Sequence, residues 1–467
     1  MLFGSAGFLF MFFPLVFLLY RVLPGLKARH GLMAVFSLVF YAFGSVSAVP
    51  LLLASVACNY AAGLLLRRDK GRRAVLIAAL VINLGLLGAF KYLDFFTDTI
   101  NALLGTAIPS AGLMLPAGIS FFTFTGISYV IEVYRDRALA EKRFVRVLLY
   151  IGFFPNLLAG PIVRWPDAAA QLDNHPCDRA LTAKGLRRFV LGLAKKLLVA
   201  DVLGGITDTV FSLADGTPDA RLAWLGAVSY LLQIYFDFSG YSDMALGLGN
   251  LFGFRFAENF DHPYVARSMM DFWKRWHISL TTWFRQYLYI PLGGNRRGRG
   301  RTVFNRLFIF LCTGLWHGAN WTFILWGLWH GALTVLEYLG VIPVKKLERS
   351  KIGRVALHGY TLLAVLLGFV LFRADSVAEA GRMLGAMFSF RAGTAENALQ
   401  LRRLLTGLNI TALIAAAVGS LPILSRVESR LGARAQTVGT VLAVPLFALC
   451  ILAMAGSGFS PFIYFQF

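Results

Sequence analysis

Seven histidines are spread along the 467 residues, and two of them stand where an imidazole could do chemistry. His317 lies in Leu315-Trp316-His317-Gly318-Ala319-Asn320-Trp321, inside a long apolar stretch. Histidine is the side chain best suited to carry a proton near neutral pH. An ionisable group in apolar, membrane-like surroundings is costly and marks a functional site by default. The structural alternative is a histidine bonded to a neighbouring carbonyl. His277 lies in Trp273-Lys274-Arg275-Trp276-His277-Ile278-Ser279-Leu280. Taken by itself it reads more simply as an interfacial histidine beside an aromatic belt. His330 sits in a second Trp-His-Gly-Ala, thirteen residues after the first. On one continuous helix the two rings would point about 140° apart, so His330 is read as packing.

Two carboxylates, Asp237 and Asp243, fall in Asp237-Phe238-Ser239-Gly240-Tyr241-Ser242-Asp243, within another apolar stretch. They could line a cavity or couple an ion to transport, which makes a transporter or flippase the alternative to an enzyme. They could equally be paired with arginines nearby. A structural adaptor is a third, weaker option. Other chemistries lack their patterns. There is no Gly-x-Ser-x-Gly elbow, His-Glu-x-x-His, His-x4-Asp, Walker loop or dinucleotide fingerprint. Cys312 is five residues from His317, again about 140° away on a helix, which is poor for a Cys–His dyad. Cys58, Cys177, Cys312 and Cys450 suggest neither a disulfide framework nor a metal site.

The elements that must position these residues follow from composition. The chain is 57% hydrophobic and 15% charged, with mean hydropathy +0.66. Soluble domains average about 45–50% apolar and about 25% charged. A soluble enzyme, a disordered chain and a disulfide scaffold are therefore excluded, and a transmembrane β-barrel does not fit the long apolar runs. The net charge of +21 reads as basic cytoplasmic loops rather than nucleic-acid binding. The expected fold is an all-α polytopic membrane protein of about ten transmembrane helices with re-entrant and amphipathic helices. It forms one integral membrane domain over 1–467, divided into N-terminal spans (1–140), a core (141–345) and C-terminal spans (346–467).

Expected spans are 6–24, 31–47, 49–66, 74–95, 113–134, 189–213, 222–252, 354–372, 405–423 and 437–457. The first is read as retained rather than cleaved. Residues 145–163 contain Pro155, Asn156, Gly160 and Pro161 and read as re-entrant, because broken backbone at membrane depth must be buried in protein. Basic loops face inward and the segments with Asp94, Asp98, Asp215 and Asp219 outward. Residues 253–302 read as an amphipathic helix on the cytoplasmic face, with Asp271 four residues before Arg275. Arg296, Arg297, Arg299 and Arg301 form a basic lip there. Residues 303–340 read as a hairpin of about 28 Å per arm, with its turn near 314–320 and deep in the membrane. Residues 374–403 form an outer connector.

Several of these stretches together resemble one family. They are Tyr235-Phe236-Asp237-Phe238-Ser239-Gly240-Tyr241-Ser242-Asp243, Asp271-Phe272-Trp273-Lys274-Arg275-Trp276-His277, Tyr287-Leu288-Tyr289-Ile290-Pro291-Leu292-Gly293-Gly294 and Leu315-Trp316-His317-Gly318. Phe121-Phe122-Thr123-Phe124, the run from Phe154 to Pro161 and the closing Phe462-Ile463-Tyr464-Phe465-Gln466-Phe467 extend the likeness over nearly the whole chain. The chain resembles the membrane-bound O-acyltransferase (MBOAT) family, and most of all its bacterial alginate O-acetyltransferase branch. The resemblance implies acyl transfer from a cytoplasmic thioester to a hydroxyl, with His317 and His277 as the catalytic positions. It makes Trp316, Asn320, Asp271, Arg275, Trp276 and Tyr289 candidates for donor or substrate binding. It implies acetyl-CoA as donor with no permanently bound cofactor and no metal. It also implies a multi-pass location in the bacterial inner membrane among lipids, and a polysaccharide acceptor reached through a separate periplasmic acetyltransferase. A funnel narrowing to His317 would keep water from the thioester.

Overall fold

A computed structural model describes every residue except 177, 214–217, 390–392, 457–461 and 464–467. Cys177, Asp215 and Tyr464-Phe465-Gln466-Phe467, all singled out in the sequence, lie outside the described residues. All regular structure among the described residues is helical. Four helices are long and apolar enough to cross a membrane: Val46–Leu65, Arg72–Leu104, Lys351–Arg373 and Arg434–Gly456. The pair Ala395–Leu404 and Gly407–Gly419, bent by 69°, is a fifth if it counts as one span. The chain is thus a multi-pass membrane protein. In the last of the four, Val441, Leu442, Val444 and Leu452 are exposed, as expected where lipid is the solvent.

About ten spans were expected, and several of the other apolar runs form helices that are short, carry a π-turn or break. Residues 6–24 divide into a π-turn, Phe8–Phe12, and a helix, Phe13–Val22. Residues 189–213 carry a π-turn at Lys195–Ala200. The run 113–134 is helical only from Ile119. The stretch 145–163 breaks at Phe153 ahead of Pro155, and Phe153, Phe154, Leu157 and Leu158 are buried. The Asn156 side chain donates to the Pro161 carbonyl at 3.1 Å, and Tyr150 Oη donates to the Val163 carbonyl at 2.9 Å. This broken backbone is closed inside protein, as the membrane demands.

The chain forms two compact units that interleave in sequence, one from 1–189 with 241–257 and the other from 190–240 with 258–463. Positions 140 and 345 are not unit boundaries. Seven helices matter for the site: α1 (Arg179–Ala194), α2 (Ala220–Leu251), α3 (Met269–Arg275), α4 (Ile278–Phe284), α5 (Arg299–His317), α6 (Trp321–Leu339) and α7 (Lys351–Arg373). The expected single amphipathic helix in 253–302 is instead α3 and α4 with a break at Trp276–His277. Its aromatic residues Trp273, Trp276, Trp283, Phe284 and Tyr287 are buried rather than laid on a surface.

Helices α5 and α6 form the expected hairpin, with the turn at 318–320. Glycine makes it tight. A Cβ at Gly314 would collide with the Phe323 carbonyl, and one at Gly327 with the Phe310 carbonyl. Small residues let helix backbones touch where lipid offers no hydrophobic drive to pack them. The Asn320 side chain restarts the helix by accepting the Thr322 N–H at 3.1 Å. Ser268 caps α3 through the Asp271 N–H at 3.0 Å. The Glu337 carboxylate of α6 accepts the Met269 N–H at 2.6 Å and the Met270 N–H at 3.1 Å, which pins the start of α3 to the hairpin.

This packing sets a stability test. Gly327→Ala should destabilise the protein by about 1–3 kcal/mol through overpacking. Gly359→Ala, on α7, meets nothing within 4 Å and should be neutral or stabilising. Melting curves of the two variants in the same detergent compare them directly.

Candidate active site

His277 is placed by an unusual backbone. It joins α3 to α4 with φ of 45°, a left-handed conformation that side-chain-bearing residues seldom adopt. Asn259, eighteen residues upstream, holds the joint. Its carbonyl accepts the Ile278 N–H at 2.9 Å, and its side-chain oxygen accepts from Ser279 N at 3.1 Å and Ser279 Oγ at 2.9 Å. The same oxygen lies 3.3 Å from His277 Nδ1. A proton on Nδ1 satisfies that contact and makes Nε2 the ring's acceptor. The ring is wholly buried, with Phe238 edge-on at 4.7 Å between centroids. The expectation of an interfacial histidine is therefore corrected.

His317 is the last residue of α5, and the chain breaks immediately after it. Its ring centroid is 6.4 Å from that of His277. Trp316 lies beside both, at 5.8 Å from His277 and 5.0 Å from His317. Phe372 of α7 and Trp326 of α6 close the far side at 5.1 and 4.9 Å. Two imidazoles forty residues apart in sequence thus meet in an aromatic enclosure, each set at a helix break. The expected funnel is not an open one, since His317 is only 4% exposed. A small pocket is lined by Phe121, Phe122, Tyr150, Asn156 and their neighbours, and none of the candidate site residues lines it.

The remaining candidates fall into different places. Trp276 is buried in the core, parallel to Phe272 at 5.6 Å. Asn320 is occupied as the cap of α6, and its amide donates to the Asp375 carbonyl at 2.9 Å. Asp271 pairs with Arg275 at 3.0 Å, as the spacing suggested, and Arg275 also reaches Asp261 at 3.3 Å. Tyr289 closes a π-turn, Arg285–Tyr289, and lines the glycine turn at Gly294. Arg296, Arg297 and Arg299 are exposed beside the start of α5.

For His330 the premise behind the packing reading does not hold, although the ring is packed among Phe272, Trp273 and Trp326. The 140° separation assumed one continuous helix, but residues 318–320 interrupt it. His330 stands on α6 with its ring 5.0 Å from that of Trp326, which in turn touches His317. Gly318 and the capping Asn320 were the signals that the helix restarts.

The two carboxylates of α2 are paired. In one unit, Arg188 of α1 donates to Asp243 at 2.9 and 3.0 Å. In the other, Lys196 Nζ lies 2.6 Å from Asp237 and 2.7 Å from Asp201. The second oxygen of Asp237 accepts the Ile463 N–H at 2.9 Å, and the Phe462 ring lies 4.6 Å from Lys196 Nζ. Both of these cations, Arg188 and Lys196, precede α2 in the chain. Buried and matched in this way, Asp237 is a structural anion. Lys196→Met should leave it uncompensated and cost about 3–5 kcal/mol, and adding Asp237→Leu should restore part of the loss. Thermal melting in detergent measures both. A transport carboxylate predicts instead that Lys196→Met melts like the unaltered protein.

The sequence pattern of the MBOAT, membrane-bound O-acyltransferase family, matches residues 101–339, which include both histidines. A probable alginate O-acetylase AlgI from Pseudomonas putida is 38% identical over the full length of both chains. One from Pseudomonas aeruginosa is 41% identical over 89% of this chain and 80% of its own. The peptidoglycan O-acetyltransferase of Helicobacter pylori is 33% identical over 97% of this chain and 88% of its own.

Proposed function

The chain belongs to the membrane-bound O-acyltransferase family and is an O-acyltransferase, and from that premise we propose that it carries acetyl groups from cytoplasmic acetyl-CoA to a cell-surface or exopolysaccharide, alginate-like in kind. The observation that carries the reading is the buried meeting of His277 and His317 at two helix breaks. His317 is the general base. It takes the proton of an attacking hydroxyl as that oxygen bonds to the thioester carbonyl carbon. The carbon–sulfur bond breaks, and the proton passes to the departing thiolate. His277, steadied by Asn259, orients donor or acceptor or assists that protonation. The aromatic enclosure limits competing hydrolysis of the thioester.

Arg296, Arg297 and Arg299 raise the local concentration of a donor that carries phosphates. The basic ends of α5 and α6 then face the cytoplasm. The broken helices bring the crossings of the bacterial inner membrane to about ten. A separate periplasmic acetyltransferase completes delivery to the polymer. The names of the Pseudomonas and Helicobacter relatives support a glycan as the final acceptor.

The test supplies purified protein with acetyl-CoA and a hydroxyl acceptor and measures release of the CoA thiol. His317→Ala should lower the rate by at least about 100-fold, within the range of a lost general base. Mass analysis of surface polymers from cells carrying the same variant should show lost acetylation. Normal polymer acetylation in those cells, with the variant inserted in the membrane, would contradict the proposal.

A further inference from the structure

One short helix far from the histidines in sequence is covered by the protein on neither face. Helix α8 (Ile423–Leu431) joins the bent pair Ala395–Leu404 and Gly407–Gly419 to the last span, Arg434–Gly456. Pro422 precedes it, and Gly432 with φ of 53° ends it. Ile423, Leu424, Val427 and Leu431 share an arc of about 100° on a regular helix. These four apolar side chains are 38–54% exposed. Ser425, Arg426, Glu428, Ser429 and Arg430 fill the rest of the circumference and are exposed as well. A helix this short does not hold its shape unaided in water.

The charges of α8 are also unmatched. Arg426 and Arg430 lie one turn apart on the same border of the apolar arc, where like charges repel. Glu428 is two residues from each of them, and residues at that spacing do not face one another. Arg434 stands just beyond, at the start of the last span. Among the described residues no carboxylate pairs with Arg426, Arg430 or Arg434. Arg188 and Lys196, by contrast, each have a carboxylate partner. An occupant of α8 must therefore offer hydrocarbon and negative charge side by side. The surface of a leaflet that contains anionic lipids does so. The place of α8 agrees with this. With the bent pair as one crossing, the chain returns to the side from which α7 departs, where Lys345, Lys346 and Arg349 also lie.

We propose that α8 is an interfacial lipid-binding helix, in which Ile423, Leu424, Val427 and Leu431 enter the boundary between headgroups and acyl chains while Arg426, Arg430 and Arg434 hold the phosphate of an anionic glycerophospholipid of the cytoplasmic leaflet. A guanidinium group meets phosphate oxygens with two N–H donors at once. The lipid supplies the counter-charge that the chain lacks, and the acyl region takes the apolar arc out of water.

The test places the full-length protein in lipid nanodiscs of phosphatidylcholine alone or of phosphatidylcholine with added phosphatidylglycerol, and follows amide hydrogen exchange over residues 423–431. An arginine near an anionic surface is worth about fivefold in an equilibrium, so exchange across α8 should be at least about tenfold slower in the discs with phosphatidylglycerol. Arg426→Gln combined with Arg430→Gln should abolish that difference, with exchange across Lys351–Arg373 unchanged as the sign of an intact fold. Salt at about 1 M, where the screening length is about 3 Å, should shrink the difference in the unaltered protein. Glycerol 3-phosphate added to phosphatidylcholine discs should slow nothing, which separates a lipid from a free phosphate ester. Equal exchange of the unaltered protein in both kinds of disc would overturn the proposal. So would a slowing that survives the loss of both arginines, or one that the soluble ester reproduces.

Discussion

Two helix interruptions hold the candidate active centre together. An imidazole within a continuous helix would be committed to that helix's face. His317 ends its helix and His277 joins two short ones, so each ring is aimed by a change of chain direction. Neither interruption would persist without support. Close glycine contacts at Gly314 and Gly327 hold the hairpin shut, and the Asn320 cap restarts α6. Asn259 braces the left-handed joint with its carbonyl and its side chain at once. Strained backbone of this kind lasts only where its surroundings over-determine it.

Charge is used differently from chemistry in this protein. Lys196, Asp201 and Asp237 neutralise one another in the interior, and the remaining oxygen of Asp237 is taken by a backbone N–H. Glu337 spends its carboxylate on the start of α3. The two histidines are instead surrounded by aromatic rings.

Much of this was legible in the residues. The apolar composition forces a helical membrane protein, and Pro155 with its neighbours announces a break inside the protein. The hairpin and its turn followed from basic segments on either side of 303–340. Other features left no local trace. Nothing at Trp276–His277 marks a break, because the cause is Asn259, eighteen residues away and brought near only by folding. The π-turns within the apolar runs have no residue signature. His330 was dismissed on the geometry of an unbroken helix, although Gly318 and Asn320 signalled otherwise.

The central claim is that acyl transfer takes place between His277 and His317. An experimental structure with a non-hydrolysable acetyl-CoA analogue tests it most directly. The account predicts the analogue's carbonyl carbon within about 4 Å of a His317 ring nitrogen, with side chains of the aromatic enclosure moved aside. An analogue bound with its carbonyl elsewhere, and His317 still sealed among Trp316, Trp326 and Phe372, would contradict it.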